Sequence, residues 1–226
     1  MRNSFVDVWY GDILTEEVEQ KKCWEMLNEG EREKAMTFLR PELQQKYIKT
    51  RGVLRKVLSS YLNIEPQQIQ IKVGQYGKPY LDEYPFHFNL SHSKNKFVIA
   101  VSNCSEVGVD IEEARKRTNL AGLVDKCFSQ QEQLFWHSLS EQQKIPVFYC
   151  FWVRKEAFVK AVGRGIALGL DQCVVNPDNV NAFVSLPKCY NNASDWTIVD
   201  VPIAENIFCA LVSKTTNYEY KQVHLT

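Results

Sequence analysis

An α+β fold built in two halves is predicted for this chain of 226 residues, and three observations predict it. Amphipathic helical segments come first and short alternating strands follow. That order then repeats. The break between the two runs falls near Glu113, so units are expected at residues 1–113 and 114–226, each of ordinary domain size.

The chain opens on "FVDVWYGDI", whose alternation suits an edge or hairpin strand. From Thr15 to about Leu62 the pattern is helical. Acidic "TEEVEQ" opens it, "RPEL" marks a break, and "YIKTRGVLRKVLSSYL" puts Tyr47, Leu54, Val57, Leu58 and Tyr61 on one face. The period then shortens. "IQIKV", "FHFNLS", "KFVIAVS" and "VGVDIE" read as short strands separated by turn residues, with "GQYGKPYL" a loop between two of them. Beyond Glu113 come polar helical segments through "SQQEQLFWHSLSEQQ" and a clear helix in "PVFYCFWVRKEAFVKAVG". Strands follow again in "AFVSLP", "WTIVDV" and "IFCALVS". The halves share element order, not a residue-level repeat.

Composition excludes several classes. Hydrophobic content of 45% and charged content of 24% describe an ordinary globular protein. Basic and acidic residues balance at 27 each, so no charge bias points to nucleic acid or membrane. The amino terminus lacks the apolar core of a signal peptide, and no run nears the roughly 18 apolar residues of a membrane span. Seven scattered cysteines form no CxxC pair, which reads as reduced packing thiols in a cytoplasmic protein.

Chemistry concentrates in four places. In "VGVDIEEARK", Asp110 and Glu112 are two apart on a strand, so both carboxylates face one side while Ile111 enters the core. Two like charges at the end of a buried strand cost free energy unless a cation joins them. On the helix "WVRKEAFVKAVGRG", Trp152, Glu156 and Lys160 line one strip, while Val153, Ala157, Phe158 and Ala161 pack inward. The plain reading of that strip is an exposed Glu156–Lys160 ion pair worth about 0.3–0.5 kcal/mol. The helix, however, ends in the Gly-rich "GRGIALG". "FNLSHS" sets Ser91 and His92 at a strand end, where ligands are met. "GKP" offers Lys78 in a turn. The cluster Lys46, Lys49, Arg51, Arg55 and Lys56 reads as a solvated helix face.

Together the groups say more than any one of them. Carboxylates bind Mg²⁺ with few protein ligands, leaving positions for water and phosphate oxygens. Lysines and a histidine suit phosphate charge. No GxxxxGK[ST], GxGxxG or HExxH occurs, which disfavours P-loop, Rossmann and zincin chemistry.

"YGKPYL", "FHFNLSHS", "VGVDIE" and "WVRKEAFVKAVGRGI" resemble, in order and spacing, the motifs of the 4′-phosphopantetheinyl transferases, specifically the larger surfactin-synthetase-activating (Sfp-type) class. "EREKAMTFL" and "TRGVLRKVLSSYL" look like that family's amino-terminal helices, so the likeness spans Glu31 to Ile166. It implies two halves related by a pseudo-twofold arrangement, with the active site in the cleft between them, within a monomer. The implied reaction moves phosphopantetheine from coenzyme A to a serine of an apo acyl, peptidyl or polyketide carrier protein, releasing adenosine 3′,5′-bisphosphate. Asp110, Glu112 and Glu156 look like ligands of Mg²⁺, with Mn²⁺ as a substitute, bridging the coenzyme A pyrophosphate. Lys160 would offset charge on the leaving phosphate. Ser91 and His92 resemble residues at the 3′-phosphate and adenosine end, and Lys78 and Lys34 further phosphate contacts; Arg51 and Arg55 are secondary. Glu156 is the expected base for the serine proton, with Asp110 its rival. Two other readings remain open here: another Mg²⁺-dependent phosphoryl transferase, and a catalytically silent carrier-binding module of the same fold.

Overall fold

A computed structural model describes residues 3–14, 16–116, 118–165, 168–177, 182–190, 192–215 and 217–225. Strand β1 (Phe5–Asp12) alternates as its sequence demands: Val6 and Val8 face one way, Phe5 and Trp9 the other. It is an interior strand rather than the expected edge, because β11 (Glu219–Leu225) returns from the far end of the chain and pairs with it in parallel. Its other side pairs antiparallel with β5 (Lys96–Ser102), and β5 with β4 (His87–Ser93). The resulting sheet has the order β11-β1-β5-β4. A second sheet, β6-β10-β9, joins β6 (Val107–Glu113), β10 (Ile207–Ser213) and β9 (Thr197–Asp200). A junction at Glu113 would therefore divide β6 from its partner β10.

Helices cover the outer faces. α1 (Glu17–Glu25) and α2 (Glu29–Met36) lead into α3 (Pro41–Leu62), whose Pro41 stands at the start where its missing N–H costs nothing. Buried Leu54, Val57 and Leu58 of α3 pack with Phe97, Ile99 and Val101 of β5. After α4 (Leu120–Cys127) and α5 (Gln130–Ser138), α6 (Glu141–Val162) starts earlier than expected, because Ser140 and Gln143 form a capping box. Its Ala157, Phe158 and Ala161 pack with Ile198, Ala210 and Val212 of the second sheet. The inner faces close on each other through Val6, Val8, Val98 and Ala100 against Val107, Val109, Ile111 and Leu211. The result is four layers, helix–sheet–sheet–helix, in two α+β halves of pseudo-twofold arrangement, with α3 and α6 the matching 22-residue helices.

Three expected strands are shorter than "IQIKV", "AFVSLP" and "WTIVDV" suggest: the first keeps only β2 (Lys72–Val73), beside β3 (Pro79–Tyr80). The second keeps only β8 (Phe183–Ser185), beside β7 (Val174–Val175), and the third keeps β9 (Thr197–Asp200). Thr15, and Ile166 with Ala167 in "GRGIALG", lie outside the described residues.

Candidate active site

The site begins with a glycine. A Cβ on Gly108 would stand 2.0 Å from the Ala157 carbonyl oxygen and 2.3 Å from the Ala161 nitrogen, so only glycine lets α6 lie this close to β6. Along β6, Gly108, Asp110 and Glu112 share the face turned to α6, and Ile111 is buried on the other. This contact brings Lys160 onto Asp110, with Nζ 2.5 Å from Oδ1. Ser91 Oγ donates to the same oxygen at 2.8 Å, and Lys160 donates to Ser91 at 2.7 Å, closing a triangle. The plain Glu156–Lys160 pair is thus not what forms.

Two carboxylates are left short of partners. Asp110 is 5% exposed, and its Oδ2 has no hydrogen bond among the described residues. Glu156, one turn before Lys160, has no hydrogen-bond or ion-pair partner among them either. Burial pushes its carboxyl up to about 7, with Asp110 and Glu112 adding to the rise and Lys160 opposing it. Glu112 accepts from Ser93 Oγ at 2.9 Å. Among the described residues no three acidic, histidine or cysteine groups stand as a ready-made metal cage. Mg²⁺ does not require one: one or two carboxylates plus substrate phosphates suffice. Hard oxygen donors, one of them an orphaned buried atom, fit such an ion.

Lys160 and Glu156 line a cleft of about 260 Å³ together with Tyr76, Lys78, Asn89 and Gly163. A larger cavity of about 680 Å³, between α1, α3 and the β4–β5 turn, contains none of these carboxylates. Lys78 sits in the cleft wall, but its ammonium caps α6 by donating to the Ala161 carbonyl, with Val107 O at 3.4 Å; burial lowers its pKa.

His92 points the other way from Ser91, toward α3. Its surroundings lower its pKa although the ring edge reaches solvent: desolvation first, then the cations Lys46, Lys160 and Arg51. Lys34 is exposed outside the cleft, connected to Arg51 through ring contacts. Its Nζ lies 5.9 Å from the Phe38 ring, Phe38 5.3 Å from Tyr47, and the Arg51 guanidinium 5.8 Å from Tyr47. The expected solvated basic face is corrected at two positions. Arg55 is 1% exposed, paired with Glu31 and donating to the Ile69 carbonyl, and Lys49 is buried against Glu19 at 3.2 Å. Both are structural, because α1 and α2 fold back over α3. Sequence reasoning missed Asn89 and Ser93, although the alternation N-x-S-x-S puts both on Ser91's face.

Two family models meet in this chain: "4′-phosphopantetheinyl transferase, N-terminal" matches residues 15–105, and "4′-phosphopantetheinyl transferase superfamily" matches 106–212. The chain is 34% identical over 203 residues to the 4′-phosphopantetheinyl transferase HetI of Nostoc sp., covering 88% of this chain and 83% of the relative. It is 28% identical over 168 residues to the transferase gsp of Aneurinibacillus migulanus, covering 73% and 68%. With Sfp of Bacillus subtilis the identity is 29% over 158 residues, covering 64% and 69%. With family models across both halves, and a relative 34% identical over most of both chains, the chain belongs to the 4′-phosphopantetheinyl transferase superfamily.

Proposed function

We propose that the cleft described above is where this chain transfers phosphopantetheine from coenzyme A to the serine of an apo carrier protein, and that it works as an Sfp-type enzyme. The observation that carries this reading is Glu156: a carboxyl raised to about 7, beside Asp110, on the wall of a cleft. With the divalent ion beside it Glu156 would be ionised, and a carboxylate on this wall can take the serine proton, directly or through water. The serine oxygen then bonds to the phosphorus next to pantetheine. The bond from that phosphorus to the bridging oxygen breaks, and adenosine 3′,5′-bisphosphate departs with the electron pair. Lys160, within reach of Asp110, offsets the charge growing on that leaving group.

Asp110, Glu112 and Glu156 are the residues proposed to hold Mg²⁺, with Mn²⁺ as a substitute. When bound, the ion neutralises pyrophosphate oxygens and orients them. Asp110 is placed here as a ligand rather than the base, since Lys160 and Ser91 already hold one of its oxygens. His92, with Lys46 and Arg51 behind it, suits the 3′-phosphate. Ser91 is assigned to orienting Asp110 and Lys160, with coenzyme A contact as its second role. Lys78 and Lys34 remain proposed phosphate contacts, Lys78 requiring release from the end of α6. Because both halves lie in one chain, a monomer is proposed. Free cysteines throughout support a cytoplasmic setting; no helix among the described residues is long and apolar enough to cross a membrane.

Incubation with coenzyme A, Mg²⁺ and an apo carrier protein tests the reading. A carrier that gains the phosphopantetheine mass supports it. Nucleotide cleavage without carrier modification favours another phosphoryl transferase, and carrier binding alone a silent module.

A further inference from the structure

Strands β4 and β6 run side by side at the seam between the sheets, yet no backbone ladder joins them among the described residues. As the edge of its sheet, β6 presents N–H groups on the side away from β10, and these need partners. Alternate side chains of β4 supply them. Asn89 Oδ1 accepts from Val109 N at 2.9 Å, and Ser93 Oγ accepts from Glu113 N at 3.2 Å. Ser93 also donates its proton to Glu112 Oε2 at 2.9 Å. One hydroxyl therefore pins both the backbone beside Glu112 and the Glu112 carboxylate.

We propose that Ser93 is a positioning residue that holds Glu112 for the divalent ion; this rests on the metal reading given above. A ligand carboxylate that is itself hydrogen-bonded keeps its orientation, and loss of such an outer partner commonly weakens metal affinity about 10–100-fold. Asp110 Oδ2, on a carboxylate 5% exposed and without a hydrogen bond among the described residues, is a second oxygen that fits the ion.

The test is a Mn²⁺ titration by electron paramagnetic resonance in saturating coenzyme A, on the full chain. Ser93→Ala is expected to raise the Mn²⁺ Kd about tenfold, while Ser93→Thr, which keeps the hydroxyl, stays near wild type. Ser93→Val has nearly the shape of threonine and lacks only the hydroxyl, so it should behave as Ser93→Ala even if the alanine variant folds poorly. Equal Kd values for the Thr and Val variants overturn the proposal, whatever their melting temperatures. If the wild-type protein binds no Mn²⁺, the metal reading itself fails, a result distinct from wild-type binding that Ser93 does not affect.

Discussion

Helices α3 and α6 are both 22 residues long and each covers one sheet, yet they treat buried charge differently. On α3 the buried cations are answered in place: Arg55 by Glu31 and the Ile69 carbonyl, Lys49 by Glu19. On α6 the same holds away from the cleft. Lys155 and Glu132 form a fully buried pair at 2.7 Å, with the Leu170 and Cys173 carbonyls completing the lysine's bonds. Arg154 meets Asp200 through two nitrogens. Glu156 breaks the pattern. Charges that build a fold need their partners present, because a lone buried charge is strongly destabilising. A half-buried carboxylate facing another carboxylate fits the role proposed for Glu156 in the site better than a role in the architecture.

The strongest way to break this contrast is to exchange the two kinds of charge for neutral groups. Asp110→Ala should lower kcat/KM of the folded protein by about 10³-fold or more, on the order of 4 kcal/mol of barrier, while the melting temperature, which loses the Lys160 and Ser91 bonds, falls less than in Arg55→Met. Arg55→Met should do the reverse. It leaves Glu31 without its partner, costs about 3–5 kcal/mol of stability, and leaves kcat of the folded fraction intact. Near-normal turnover of Asp110→Ala at ordinary Mg²⁺ concentrations counts against the metal site. An Arg55→Met protein that melts normally but binds coenzyme A poorly moves Arg55 from architecture to substrate.

Stability against pH sharpens the point at Glu156. Its ordinary value is 4.5 and its folded value about 7, so the fold favours the protonated form. The stabilising contribution is fully present below about pH 4.5 and is lost as pH rises through 7, amounting to at most about 3 kcal/mol. Glu156→Gln removes this titration. Without metal and coenzyme A, the variant should match wild type in melting temperature near pH 4.5 and exceed it above pH 7. Two parallel melting curves across that window would show that Glu156 is not strained.

Lys160 comes next in size. Its present bonds are to Asp110 and Ser91, the position from which it faces the cleft. Lys160→Ala should cut kcat about 10–100-fold, as loss of one transition-state charge contact does, with coenzyme A affinity changed less. Arginine keeps the charge but is forked and bulkier, and should rescue only partly. A kcat within about threefold of wild type, under about 1 kcal/mol, returns Lys160 to the status of an ion-pair residue.

The same contrast explains what could be read in the sequence. The period-two pattern of "VGVDIE" correctly separates Asp110 and Glu112 from Ile111, since strand alternation is local. The helix strip likewise brings Glu156 and Lys160 to one side. Which carboxylate Lys160 joins was not legible, because the choice is made by the Gly108–Ala157 contact between elements far apart in the chain. Arg55 and Lys49 looked solvated for the same reason: their partners sit on α1 and α2. β11 is not legible in the sequence because "EYKQVHL" is mostly polar and its partner β1 lies at the other end of the chain. Local periodicity therefore reported which face a residue takes, and only packing reported what it meets there.

The smallest expected effect belongs to His92, which faces α3 and is not among the residues lining the cleft of about 260 Å³. Burial and the cations Lys46, Lys160 and Arg51 lower its pKa below the ordinary histidine range near 6.5, so it is neutral in the free protein at pH 7. A phosphate dianion placed among those groups reverses the balance and favours the imidazolium, whose hydrogen bond to phosphate is charge-assisted. Binding of coenzyme A should then take up a proton, and its KM should fall as pH is lowered toward 6. His92→Ala should raise that KM about five- to tenfold, roughly 1–1.4 kcal/mol, leave kcat nearly unchanged, and flatten the pH dependence. Dephospho-coenzyme A lacks the 3′-phosphate, so its KM should respond neither to pH in this range nor to the substitution. Equal losses on both substrates would detach His92 from that phosphate, leaving Lys46 and Arg51 as the cations to test in its place.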